Sequence, residues 1–157
     1  MIRSRSASTT HAEQNTTNSK EHTIMSTPTI TIADQDKTTL RTAAYGAVAL
    51  LAAAGAPHKG ITHASIALCS ATGLVGHVLA AKSRDIELPG KTVAALADRV
   101  LPALTAAVRL LEQQDPAEAD NFRSTLAVAV DAATQPGKSQ PSPVLAEMAR
   151  KITAALG

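Results

Sequence analysis

Apolar residues recur every three or four positions along the second half of the chain, the spacing that places them on one face of an α-helix. The clearest case is residues 92–113, where charged and polar side chains occupy the opposite face. Two more amphipathic segments follow, and their starts at Asp115-Pro116 and Ser142-Pro143 pair a capping side chain with a proline in the first turn. The pattern therefore predicts three amphipathic helices.

Residues 36–54 and 62–82 show a different pattern, because apolar side chains lie on nearly every side of both segments. No formally charged residue occurs between Gly60 and Lys82. A helix that is apolar all round is buried on every side or crosses a membrane. We therefore expect an all-α protein, a five-helix up-down bundle with these two apolar helices at its centre and the three amphipathic helices covering them.

The second apolar helix, which Thr62 is expected to cap, contains two glycines, Gly73 and Gly76. Each weakens a helix by roughly 1 kcal/mol relative to alanine. A glycine also lets two helix backbones approach each other closely. Both positions are therefore predicted to lie where this helix packs tightly against a neighbouring helix.

The first 35 residues differ from the rest of the chain. Residues 1–25 are polar and cannot bury enough surface to offset the entropy lost on ordering, so they are expected to form a disordered tail. Residues 26–35 are expected to form a short extended arm, and residues 36–157 the helical bundle domain. The stretch 25–28, Met-Ser-Thr-Pro, has the form of an ordinary protein start, which leaves open whether residues 1–24 belong to the native protein.

The apolar residues of the chain are mostly small. Alanine makes up about a fifth of the sequence, and the aromatic residues are one tyrosine (Tyr45) and one phenylalanine (Phe122). Alanine has the highest helix propensity and is depleted in strands, so this composition also favours an all-α fold.

The formal net charge of +2 is too small to indicate a nucleic-acid partner. Much of the basic excess lies in the amino-terminal tail, at Arg3, Arg5 and Lys20. Because no predicted helix carries a cluster of lysine and arginine, no nucleic-acid binding is expected.

Cysteine and histidine are the residues most able to bind a metal ion or supply a nucleophile. Cys69, the only cysteine, lies in an apolar stretch and is expected to be a buried, unreactive thiol. His63 and His77 would be about 21 Å apart along one helix and could not share a metal ion, and His77 is expected in the core. His58 and His63 could meet across a turn, but two ligands do not make a zinc site. The sequence does not decide whether these histidines are functional.

The usual sequence signatures of catalysis are missing. The chain has no glycine-rich phosphate loop, no zinc-binding His-Glu-x-x-His and no Gly-x-Ser-x-Gly nucleophile turn. Asp98, Asp131 and Glu147 project from helix faces that are predicted to be exposed, where carboxylates are ordinarily solvated. No catalytic residue, cofactor or metal site is therefore predicted.

The tripeptide Pro-Gly-Lys occurs at 89–91 and again at 136–138. In an up-down bundle the loops after the second and fourth helices emerge at the same end, so Lys91 and Lys138 would face the same way. This arrangement suggests a surface for an anionic partner, although turn formation alone also accounts for Pro-Gly.

These observations favour a non-enzymatic, cytoplasmic helical protein that acts through protein–protein contact or self-association. One alternative is a binder of a small apolar ligand between the helices, where alanine and glycine leave space. A membrane-associated protein is another, because residues 42–57 and 61–81 can be drawn as a hairpin of two spans. The first of these is shorter than the ~20 residues that a bilayer requires, so a soluble protein is expected.

Overall fold

The computed structural model describes residues 32–81, 88, 92–135 and 140–157. The regular elements of this part of the chain are all α-helices, which confirms the all-α class. The predicted tail over 1–25 and most of the arm over 26–35 lie outside the described residues. The helices are α1 (Asp34–Ala53), α2 (His58–Cys69), α3 (Gly73–Ala80), α4 (Val93–Gln114), α5 (Pro116–Thr134) and α6 (Pro143–Ala155).

The described residues form six helices, so the expected number of five is wrong. The segment predicted as one helix over 62–82 is two helices, α2 and α3, whose axes are bent by 119° at residues 70–72. Gly73 begins α3 with a φ of 69°, in the left-handed region that glycine adopts without steric cost. A Cβ at Gly76 would overlap the carbonyl group of Ala71, which lies in the bend itself.

Gly73 supplies this backbone conformation and also lies against a neighbouring helix, because a Cβ there would be 2.6 Å from Glu118 Oε1 of α5. Gly76 makes room for the chain segment just before α3. Both glycines belong to the short helix α3 and not to one continuous helix over 62–82. We call the segment 70–76 the α2–α3 corner.

Three helices begin with a side chain that accepts a hydrogen bond from a backbone N–H of the first turn, and the caps of α5 and α6 are the ones that the sequence predicts. Thr92 Oγ1 accepts one at 3.1 Å, Asp115 Oδ1 at 3.0 Å and Ser142 Oγ at 3.2 Å. The start of α2 differs. It begins at His58, so Thr62 lies one turn inside the helix and donates to the His58 carbonyl at 3.0 Å instead of capping it.

Helix α1 is the centre of the fold. All residues over 40–51 are buried or half-buried, and α1 contacts each of the other five helices. The predicted second central helix is not central, because α2 buries only Gly60, Ala64 and Leu68 and exposes most of its remaining residues. The 119° bend at the α2–α3 corner accounts for this difference, since it divides the segment into two short helices that run in different directions.

The amphipathic helices bury the faces that their periodicity predicts. On α5 the residues at helical spacing are buried, and Phe122, the single phenylalanine of the chain, is fully covered; the others are Leu126, Ala129, Val130 and Ala133. The remainder of the core is mainly leucine and alanine. Its largest fully buried side chains include Leu40, Leu50, Leu51, Leu68, Leu79, Leu104, Leu111, Phe122, Leu126, Leu145 and Ile152.

Side chains of α4 and α5 hold the carboxyl end of α6. Arg123 Nε donates to the carbonyl of Leu156 at 2.9 Å, and Thr105 Oγ1 donates to the carbonyl of Ala155 at 3.1 Å. Arg123 also forms ion pairs with Glu112 and Asp120. These contacts satisfy carbonyl groups that a helix end otherwise leaves without a partner.

Candidate functional site

The amino-terminal end of α3 is capped by side chains of α5. Glu118 Oε2 accepts a hydrogen bond from the Val75 backbone N–H at 3.1 Å. Asn121 Nδ2 donates to the Thr72 carbonyl at 2.8 Å and to Glu118 Oε2 at 3.3 Å. A carboxylate is favourable at a helix amino terminus, where backbone N–H groups lack partners. The two side chains therefore link the α2–α3 corner to α5 through hydrogen bonds.

We expect Glu118→Ala to lower the free energy of unfolding by about 1–2 kcal/mol, the usual cost of losing a helix cap. Glu118→Gln keeps an oxygen acceptor and should lose less. The measurement is urea denaturation followed by far-ultraviolet circular dichroism. Asp131→Ala, which removes an exposed carboxylate from the same helix, is the control and should change little. Equal losses for the alanine variants at 118 and 131 would contradict the capping role.

Tyr45 of α1 forms a hydrogen bond with the other end of α3. Its hydroxyl donates to the Leu79 carbonyl at 2.5 Å. Burial raises the pKa of the Tyr45 hydroxyl, the adjacent Cys69 thiol raises it further, and the Arg41 guanidinium lowers it. The phenol therefore stays protonated at neutral pH and acts as a hydrogen-bond donor.

Cys69 is exposed, which corrects the expectation of a buried thiol. It is the last residue of α2, immediately before the bend. The apolar stretch that suggested burial belongs to a helix with only one buried side, and Cys69 lies outside that side. Its position beside the Tyr45 hydroxyl places it where α1, α2 and α3 meet.

Helices α2 and α5 are antiparallel neighbours. A Cβ at Gly60, near the start of α2, would lie 2.9 Å from the carbonyl oxygen of Ala133, near the end of α5. At the opposite ends of the two helices, Thr72 contacts Asn121 through the hydrogen bond described above. By this register, residue 66 of α2 is level with residues 127 and 128 of α5.

Two exposed apolar side chains lie at this level. Ile66 is 56% exposed and Val128 is 57% exposed, values far above those of the core. Polar side chains, also exposed, lie one turn to either side of them. We call this surface the α2–α5 face and define it by His63, Ile66 and Ser70 of α2 together with Ser124 and Val128 of α5.

The histidines of the described ranges lie at the surface. His58, His63 and His77 are all exposed, so the expectation that His77 lies in the core is wrong. It occupies the outer side of α3, which the bend turns toward solvent. Within the described ranges no group of three or more His, Cys, Asp or Glu side chains is placed to hold a metal ion.

The predicted anion-facing residues, Lys91 and Lys138, lie outside the described residues. Their proposed common orientation therefore stays a prediction. The residues that organise the α2–α3 corner, Glu118 and Asn121, were not recognised from sequence in this role. Their partners are more than forty residues away in the chain, and no local pattern links them.

For the part of the chain that is described, no helix taken alone has the length and apolarity needed to cross a bilayer. Helices α2 and α3 satisfy that test only as a pair, across their 119° bend. Several of their side chains pack in the core of the domain, including Leu68, Val75 and Leu79.

No protein-family model, curated protein or solved structure matches this chain. The α2–α5 face combines exposed apolar side chains with a defined position on two packed helices.

Proposed function

We propose that this protein is a non-enzymatic helical protein that acts through protein–protein contact, and that the α2–α5 face is its contact surface. The observation that carries the proposal is the position of Ile66 and Val128. They are exposed, apolar and level with each other on neighbouring helices. An apolar centre within a polar rim is the usual composition of a protein interface.

The chemistry around these two side chains favours a protein partner. The stretch from Ala54 to Ala81 contains no aspartate or glutamate and only one lysine, Lys59, so α2 and α3 offer little charge to desolvate on contact. Ile66 and Val128 project from the outer sides of packed helices. A small apolar ligand would instead need a concave site.

Self-association is the form of contact that this face supports best. In a two-fold arrangement the same surface is used by both copies, so Ile66 of each copy would meet Val128 of the other. Two helices from each copy would then pack as a four-helix layer. Apolar side chains at the centre and His63, Ser70 and Ser124 at the rim suit that arrangement.

We expect the protein to form a dimer whose population rises with concentration. Ile66→Glu and Val128→Glu should each shift the equilibrium to the monomer, because a buried unpaired carboxylate is strongly unfavourable. Sedimentation velocity over a concentration series measures the effect. Val144→Glu is the matched control, since Val144 is the third large apolar side chain that is exposed in the described ranges (54%) and lies on α6, outside the face.

Cys69 provides an independent readout, because it is the only cysteine and lies three residues from Ile66. A short bismaleimide should join two wild-type copies and fail to join Ile66→Glu copies. Cys69→Ser should abolish cross-linking without changing the sedimentation. A monomer at every concentration, or equal association of the Ile66, Val128 and Val144 variants, would overturn self-association through this face.

A further inference from the structure

Exposed residues of α2 and α5 form matched pairs along the α2–α5 face. By the register described above, residue 63 of α2 is level with residues 130 and 131 of α5, and residue 70 is level with residues 123 and 124. The exposed side chains at these levels are His63 with Asp131, Ile66 with Val128, and Ser70 with Ser124. Each level therefore holds two side chains that suit each other chemically.

The charges beside this face are divided between the two helices. Helix α2 carries one lysine and two histidines and no acid, whereas Asp131 is the only charged residue of α5 after Arg123. Lys59 lies one turn before His63 and is level with residues 134 and 135, neither of which is charged. The ion pairs of the described ranges include neither His63 nor Asp131. Both side chains are therefore available to a partner.

A second copy can pack on this face about either of two two-fold axes that lie in the plane of contact. An axis perpendicular to the helices places α2 on α2 and α5 on α5, so that Ile66 meets Ile66 and His63 lies opposite Cys69. An axis parallel to the helices places α2 of one copy on α5 of the other. Residues that are level within one copy then meet across the contact.

The charges favour the parallel axis. With α2 on α2, the basic side chains of both copies come together, and α2 has no acid to receive them. With α2 on α5, the imidazole N–H of His63 can donate to the Asp131 carboxylate of the other copy. Symmetry makes this contact twice, once on each side of the axis. Complementary charges across a contact fix its register and disfavour other arrangements.

We propose that two copies associate about a two-fold axis parallel to α2 and α5, and that His63 of each copy pairs with Asp131 of the other. The partner is a second copy of this chain in one register, with Ile66 against Val128. This pairing rests on the proposed function, since it requires the α2–α5 face to self-associate. It adds the two residues that select the arrangement.

Charge reversal at either position should weaken self-association. His63→Glu places a carboxylate opposite Asp131, and Asp131→Lys places an ammonium group opposite His63, in both contacts of the dimer. We expect each variant alone to have a dimer dissociation constant at least about tenfold above the wild-type value in sedimentation velocity. Both positions are exposed in the single copy, so far-ultraviolet circular dichroism should show an unchanged fold.

Mixing the two variants distinguishes the parallel axis from the perpendicular one. A dimer of one His63→Glu chain and one Asp131→Lys chain contains one contact of glutamate with lysine and one native contact of His63 with Asp131. We expect the mixture to form this heterodimer with a dissociation constant that returns close to the wild-type value. With α2 on α2, positions 63 and 131 of different copies do not meet, and mixing would restore nothing.

His58→Glu and Asp98→Lys are the controls, because they make the same charge changes at exposed positions outside the face and should associate as the wild type does. A wild-type dimer that Ile66→Glu disrupts, combined with no gain on mixing, would overturn the pairing and leave the proposed function intact. Wild-type association of each charge variant alone would also overturn the pairing. A wild type that is monomeric at every concentration would overturn both.

Discussion

Replacing Phe122 with alanine is expected to lower the free energy of unfolding by about 3–5 kcal/mol. Phe122 is the only phenylalanine, and it is fully buried on the inner face of α5. The rest of the core is mainly leucine, alanine and valine, and none of these side chains is long enough to fill the space that a lost ring leaves. Because domains of this size are stable by only about 5–15 kcal/mol, the variant should lose a large part of its stability.

Urea denaturation of wild-type and variant proteins, followed by far-ultraviolet circular dichroism, measures this effect. Phe122→Leu is the matched variant, because it keeps most of the apolar volume and should lose clearly less than Phe122→Ala. Ala127→Ser, at an exposed position of the same helix, should remain close to the wild type. A loss below about 1 kcal/mol for Phe122→Ala would show that the core collapses around the deletion.

Enlarging Gly76 to leucine is expected to cost about 3 kcal/mol or more, at or above the upper end of ordinary overpacking. The obstacle is backbone rather than a flexible side chain. A Cβ at this position would lie 2.5 Å from the carbonyl carbon of Ala71 and closer still to its oxygen. Relief would require the α2–α3 corner to open, which would also disturb the hydrogen bonds that Glu118 and Asn121 make to it.

Gly76→Ala separates this explanation from one based on helix propensity. At a position with free space, alanine would stabilise the helix by about 0.5–1 kcal/mol, whereas here we expect destabilisation. Ala80→Leu adds similar bulk at an exposed position of the same helix and is the control. A denaturant midpoint for Gly76→Ala equal to or above that of the wild type would refute the close approach of the corner to α3.

Local features of the sequence are enough to predict the class of the fold and the amphipathic helices α4, α5 and α6. Their starts depend on side chains within three residues of the N–H groups that they cap, as at Thr92, Asp115 and Ser142. Their buried faces follow from a spacing that is set by the helix itself. Information of this kind is local, so it can be read without knowing which helices meet.

The tertiary structure alone decided the path of the chain over residues 58–80. Its apolar pattern is that of one buried helix, yet the chain bends at residues 70–72, where Glu118 and Asn121 supply the partners of Val75 and Thr72. That bend exposes Cys69 and His77, which the sequence pattern placed in the core. The level positions of Ile66 and Val128 likewise depend on how antiparallel helices pack. Such contacts join residues more than forty positions apart in the chain. Hydrophobic periodicity cannot predict them, because it indicates only which side of a helix is apolar and not which neighbouring helix covers that side.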